Sequence, residues 1–174
     1  WQKLESESLR KFYGLNSNQG GILVTKVIFE SPAWELLKEN DVIVSVVGSK
    51  VESDGIVPFR NDERVNFSYL ISLYQMGQML DLQVWREGKL VQVSINLKKF
   101  KKLIPGPQHD VRPTYYIFGG LVFMPLSYNF MDVWDWKDVE PRFKHYYAHV
   151  LPSNEKREMV IINQVLADDV NVGY

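Results

Sequence analysis

Residues Ser31 to Val51 read SPAWELLKENDVIVSVVGSKV, and their order decides the fold. Ser31 can accept a hydrogen bond from the first free N–H groups of a helix. Pro32 falls at the first helical position, where its missing N–H costs nothing. Ala33, Leu36 and Leu37 then make a small apolar face, so a short helix is predicted within SPAWELLKEN, residues 31–40. Asp41 turns the chain into a run of β-formers that ends at Gly48, and that glycine corner leads into a third short strand.

Working outward, GGILVTKVIFE (Gly20 to Glu30) opens on glycine and carries Ile22, Val24 and Val27, which predicts a strand. LESESLRKFYGL (Leu4 to Leu15) places Leu4, Leu9, Phe12 and Leu15 near one face and reads as a short helix, or a strand end running into one. Downstream, Asp54-Gly55 marks a turn, and RVNFSYLISLY (Arg64 to Tyr74) predicts a second helix capped by Asp62. LDLQVWREG and KLVQVSINL alternate apolar and polar residues around Glu87-Gly88, the signature of a hairpin. Residues 1–100 therefore read as strand–helix–strand–strand–helix–strand–strand, a small α+β domain.

Residues 101–113 follow as a linker, rich in proline and charge, and a second, aromatic-rich unit spans 114–174. Within it YYIFGGLVFMPL reads as a strand interrupted by paired glycines, VEPRFKHYYAHVL (Val139 to Leu151) as a helix, and EMVIINQVL (Glu158 to Leu166) as a strand. One helix and two or three strands make a thin core, so this unit is either incomplete or leans on the first. An internal repeat is at best weak.

Composition excludes several classes of function. The 174 residues carry 45% hydrophobic and 24% charged side chains at a net charge of -1, so no bulk pull toward nucleic acid or a membrane surface is implied. The basic run KKFKK reads as a solvated linker or a binding patch. There is no cysteine, which removes disulfides, a thiol nucleophile and thiolate zinc sites. No apolar run approaches the roughly 20 residues a membrane span needs. The chain opens on Trp1 without methionine or a signal-like segment, which reads as a fragment.

GILVTKVIFESPAWELLKENDVIVSVVGSKVESDG resembles the middle of a PDZ domain of the Deg/HtrA serine protease family, whose pattern runs G-x-x-V-x-x-V-x-x-x-S-P-A-x-x-x-x-L-K-x-x-D-V-I-x-x-x-x-G-x-x-V. SDGIVPFRNDERVNFSYL, RPTYYIFGGLVFMPL and IINQVLADDVNVGY are similar to the tandem-PDZ tail of eukaryotic-type Deg proteases. The resemblance implies a PDZ-like fold for residues 1–100: a small, partly open antiparallel β-barrel or sandwich with two helices, followed by a partial second PDZ-like unit. It also implies a non-catalytic region that binds peptide or unfolded protein segments, controls access to the protease domain of the same chain, and assembles a homo-oligomer. Family members occur in periplasm, chloroplast, mitochondrion and nucleus. No cofactor, nucleic acid or membrane is implied. The family's catalytic serine sits in G-N-S-G-G, which this sequence lacks, and no catalytic residue is expected here. Its first carboxylate-binding loop falls just before Trp1, which leaves part of the first groove outside the chain.

A PDZ unit takes a peptide as an added strand beside one helix. The groove walls expected on that basis are Gln2 and Leu4 on the strand side, with Phe67, Leu70 and Tyr74 on the helix side; Phe67 and Leu70 read equally as core. Phe118-Gly119-Gly120-Leu121 is either a second carboxylate-binding loop or a glycine bend in a buried strand. His145 and His149 stand at i, i+4, a spacing that can grip a metal but that also suits a solvated or packing pair. Asp168-Asp169 suggests a cation site or a turn cap. Phe130, Trp134 and Trp136 suit a core or a protein contact. Three rivals remain open: a stand-alone PDZ scaffold for partner C-termini, structural PDZ units with blocked grooves, and an enzymatic fragment, for which no activity is expected.

Overall fold

The computed structural model describes residues 1–16 and 18–167, and the chain divides into unit 1, Trp1–Phe100, and unit 2, Lys101–Tyr174. Unit 1 runs β1 (Gln2–Lys3), α1 (Glu7–Phe12), β2 (Ile22–Leu23), β3 (Val42–Val46), β4 (Ser49–Lys50), β5 (Ile56–Pro58), β6 (Arg64–Asn66), α2 (Phe67–Ser72), β7 (Met79–Arg86) and β8 (Lys89–Asn96). Strict alternation in β7 buries Leu80, Leu82 and Val84 and exposes Met79, Asp81 and Gln83, so one face seeks a core. The β7–β8 hairpin turns on Glu87 and Gly88, both at positive φ, the requirement of the tight turn that matches strand twist.

The main sheet has the order β1-β2-β3-β7-β8, with β4 paired to β3 and a separate β5-β6 ribbon. β1 and β8 are its two ends, so the sheet is open and not closed into a barrel. One face packs Ile22, Ile43, Val46, Leu82 and Val84 against Phe67 of α2 and Val57 of β5. The other face packs Leu23 and Val42 against Leu4, Leu15 and the α1 side chain of Leu9.

The SPAWELL segment departs from expectation. It forms consecutive turns rather than a helix, with Trp34 N–H on Ser31 O and Leu37 N–H on Ala33 O. Two observations explain why it stops. The Leu36 carbonyl, which a helix would give to the Asn40 N–H, accepts from Arg86 Nη2 at 2.8 Å, while Asn40 N–H donates to Val24 O. Glu35 sits at φ 66, outside helical geometry. Asp41, 1% exposed, accepts from Lys38 N–H at 2.8 Å and from Arg86 Nε and Nη2 at 2.7 and 2.6 Å. That bond holds the guanidinium pKa above its ordinary value. The ion pair ties the turn segment to the end of β7.

Other boundaries shift for local reasons. The strand expected over 20–30 contracts to β2. The helix expected from Arg64 begins at Phe67, capped by Asn66 Oδ1 on Ser68 N–H, because Arg64–Asn66 pairs with Ile56–Pro58 instead.

Unit 2 contains β9 (Tyr116–Phe118), β10 (Leu121–Pro125), α3 (Tyr128–Met131), α4 (Pro141–His149) and β11 (Val160–Val165), with sheet order β11-β10-β9. Its core gathers Ile104, Leu126, Met131 and Val139; Leu103 and Ile104, within the stretch read as linker, are both buried.

Candidate functional site

The sheet edge at β1 and the neighbouring α2 are the elements a docked strand would use. Phe67 is buried in the main core, and Leu70 and Tyr74 pack partly against it, so the three helix-side residues are brought together. Gln2 and Leu4 do not join them. Gln2 pairs with Leu23, on the α1 side of the sheet, and Leu4 is fully buried there with Leu15, Leu23 and Val42. Side chains alternate along a strand, so the face toward α2 belongs to Lys3, opposite Ile22, and to Trp1. The Trp1 ring lies 5.2 Å from that of Phe67 at 78°, and a Cβ on Gly55 would come within 3.3 Å of it. Trp1 is a residue of that face that the sequence reading did not name. A period-two count from Lys3 reaches Trp1, whereas Gln2 and Leu4 fall on the opposite phase of the strand.

In unit 2, Phe118-Gly119-Gly120-Leu121 is neither an open loop nor a bend in a buried strand. Phe118 pairs with Leu121, and Gly119 and Gly120 lie at φ 54 and 76, a two-residue hairpin turn with both central residues left-handed. β9 is exposed throughout. The Gly120 carbonyl accepts from Leu166 N–H at 2.8 Å.

The two units share a local plan that sequence hardly shows. In unit 1, Gln2 pairs with Leu23 and Lys3 with Ile22; in unit 2, Met124 pairs with Ile161 and Pro125 with Val160. Setting Gln2 on Met124 sets Leu23 on Ile161 and Leu4 on Leu126. Both leucines are fully buried, and each is followed by a serine-capped helix, from Ser6 for α1 and Ser127 for α3. The pair β10–β11 thus repeats β1–β2, and α3 repeats α1. Trp1 and Lys3 correspond to Phe123 and Pro125.

Other sequence candidates resolve as follows. His145 and His149 are exposed with ring centroids 5.4 Å apart, and among the described residues no group of three metal-ligating side chains exists. Phe130 meets Trp134 edge-on at 4.8 Å. Trp136 and Tyr147 receive the unit's own cations, Lys144 and Lys102, at 5.7 and 5.6 Å. Asp168-Asp169 lies outside the described residues. An open pocket of about 560 Å³ borders Tyr13, Asn40, Asp41, Trp85 and Arg86. Its polar groups satisfy one another: Tyr13 OH donates to Asn40, Trp85 Nε1 to Tyr13 O, and Arg86 to Asp41. Among the described residues no helix is long and apolar enough to cross a membrane.

An open antiparallel sheet with a helix packed on one face, followed by a partial copy of the same strand plan, is the architecture of a PDZ region, and residues 104–174 match the family described as PDZ domain. The whole chain is 32% identical over 174 residues to Protease Do-like 4, mitochondrial, of Arabidopsis thaliana, covering 31% of that protein. It is 35% identical over 173 residues to Protease Do-like 2, chloroplastic, from the same organism, covering 99% of this chain and 28% of the relative. Serine protease DegP homolog of Plasmodium falciparum (isolate 3D7) aligns at 28% over 138 residues, 79% of this chain and 16% of that protein. The chain spans less than a third of the length of these curated relatives. It belongs with the PDZ regions of the Deg/HtrA-like proteases.

Proposed function

We propose that this region is the non-catalytic, peptide-capturing part of a Deg/HtrA-type serine endopeptidase, and that it regulates access to the protease and contributes to oligomer assembly. The observation that supports this reading is the place of β1 at one end of the sheet order, with the Phe67 ring of α2 against Trp1 and Leu70 and Tyr74 packed on the same core. A peptide or unfolded segment adds as a further strand on β1. Main-chain hydrogen bonds supply its affinity, and the Trp1, Phe67, Leu70 and Tyr74 surface chooses its side chains. Gln2 contributes through its backbone, and Leu4 anchors the strand from beneath. Residues 1–100 form the first PDZ domain, 101–113 lead onward, and 114–174 belong to the second.

Calorimetric titration of the 174-residue chain with a C-terminal peptide library tests the capture role. Dissociation constants below about 1 mM, equivalent to roughly -4 kcal/mol, are expected for a subset sharing one terminal side-chain class. Failure of every peptide at that concentration favours units that are purely structural. Cleavage of casein by the chain alone would contradict the non-catalytic assignment.

A further inference from the structure

We infer that unit 2 carries its own substitute for a docked strand: β9 fills the edge of β10 that corresponds to the edge of β1 on which the proposed peptide adds. In an antiparallel ladder the main-chain groups of alternate residues point to the same edge. Leu126 N–H donates to Met159 O at 2.7 Å, which turns Leu126 and Met124 toward β11 and turns Pro125 and Phe123 to the opposite edge. On that edge Phe123 is paired with Tyr116, and Leu121 with Phe118. Pro125 has no N–H to offer, the device by which sheet edges are closed to further strands. Each donor position on this edge is therefore taken or missing. In unit 1 the counterparts are Trp1 and Lys3, and Lys3 keeps its N–H.

Tethering makes the substitution hard to displace. β9 reaches β10 through Gly119 and Gly120 alone, and so short a connection holds it at an effective concentration of millimolar or above. The rings of Tyr116 and Phe118 stack along it, 6.5 Å apart and 9° from parallel. The hairpin thus replaces an open carboxylate-receiving loop with a closed one.

The inference rests on the proposed role of β1 for what such an edge does, and on the pairing alone for where β9 lies. The test uses the isotopically labelled 174-residue chain, the peptides that bind it, and two variants. Tyr116→Gly/Ile117→Pro/Phe118→Gly cannot pair as a strand; Ile117→Cys/Val122→Cys staples β9 to β10 at an opposed pair. The wild type and the stapled protein should bind one peptide per chain with equal affinity and leave the amides of Leu121 and Phe123 unshifted. The strand-broken variant should bind a second peptide, with new shifts at those amides. Shifts at Leu121 and Phe123 in the wild type, or loss of a bound peptide on stapling, would overturn the inference. So would a folded strand-broken variant with no second peptide. If that variant unfolds, the stapled protein decides. Binding at β10 of the broken variant but none at β1 would sink the reading of unit 1 and leave this one standing.

Discussion

Ile22 and Val160 hold the same place in the repeated strand pair, opposite Lys3 and Pro125, yet Ile22 is fully buried and Val160 is 53% exposed. The pairing itself is alike in the two units because it is set locally, by a buried leucine and a serine-capped helix that follows it. Burial is not local. In unit 1 the Ile22 face is covered by Phe67 of α2 and Val57 of β5. In unit 2 the matching face presents Tyr116, Phe118, Val160 and Ile162, each more than half exposed. The same strand pair is therefore a core element in one unit and a surface in the other.

The largest expected contrast concerns charge. Removing Arg86 leaves the carboxylate of Asp41, 1% exposed, buried without its partner. Arg86→Ala should cost about 3 kcal/mol or more in urea unfolding followed by a unit 1 probe. Arg142→Ala removes an ion pair with Glu140 whose partners are 81% and 42% exposed, and should leave unfolding unchanged. Equal effects would mean that the Asp41 pair is solvated.

Next in size, Ile22→Ala should destabilise unit 1 by about 3 kcal/mol through the cavity it leaves. Val160→Ala, its counterpart, should change stability by less than about 0.5 kcal/mol. A loss at Val160 comparable to that at Ile22 would show that its face is covered in solution, and would break the comparison.

A smaller effect separates the hairpins. Gly119→Val places a β-branched side chain at φ 54, where open space surrounds the added Cβ. The cost should be about 1–2 kcal/mol from backbone strain alone, seen as faster amide exchange in Tyr116–Phe118. The β7–β8 turn already tolerates Glu87 at φ 50, so Glu87→Gly should be neutral or mildly stabilising. Smallest of all, Lys11→Ala removes an exposed i,i+4 pair with Glu7 at 2.8 Å. A change of a few tenths of a kcal/mol that vanishes in high salt is expected.

Much of unit 1 was legible from pattern. The alternation in β7 and β8, the Glu87-Gly88 turn and the β3–Gly48 corner all follow from period and turn chemistry that act within a few residues. The SPAWELL helix was not, because the groups that end it, Arg86 and Val24, are distant in sequence and reach Leu36 and Asn40 only after folding. The same limit hid the repeat: Leu4 and Leu126 match, but Lys3 and Pro125 share a register rather than a chemistry. In the candidate region, the apolar spacing of Phe67, Leu70 and Tyr74 gathers them on one core although Tyr74 lies beyond the end of α2, while the place of Trp1 depends on the strand phase. The glycine pair at 119–120 signalled a special backbone, and which one depended on the pairing of Phe118 with Leu121.

Everything functional turns on which edge takes a strand. The most direct measurement is a set of intermolecular backbone NOEs, collected on the labelled chain saturated with its tightest peptide. Contacts from peptide amides and α-protons to Trp1, Gln2 and Lys3, with side-chain contacts to Phe67, Leu70 or Tyr74, are predicted. Contacts confined to β8, or a peptide seated on β9 with none to β1, would contradict the account.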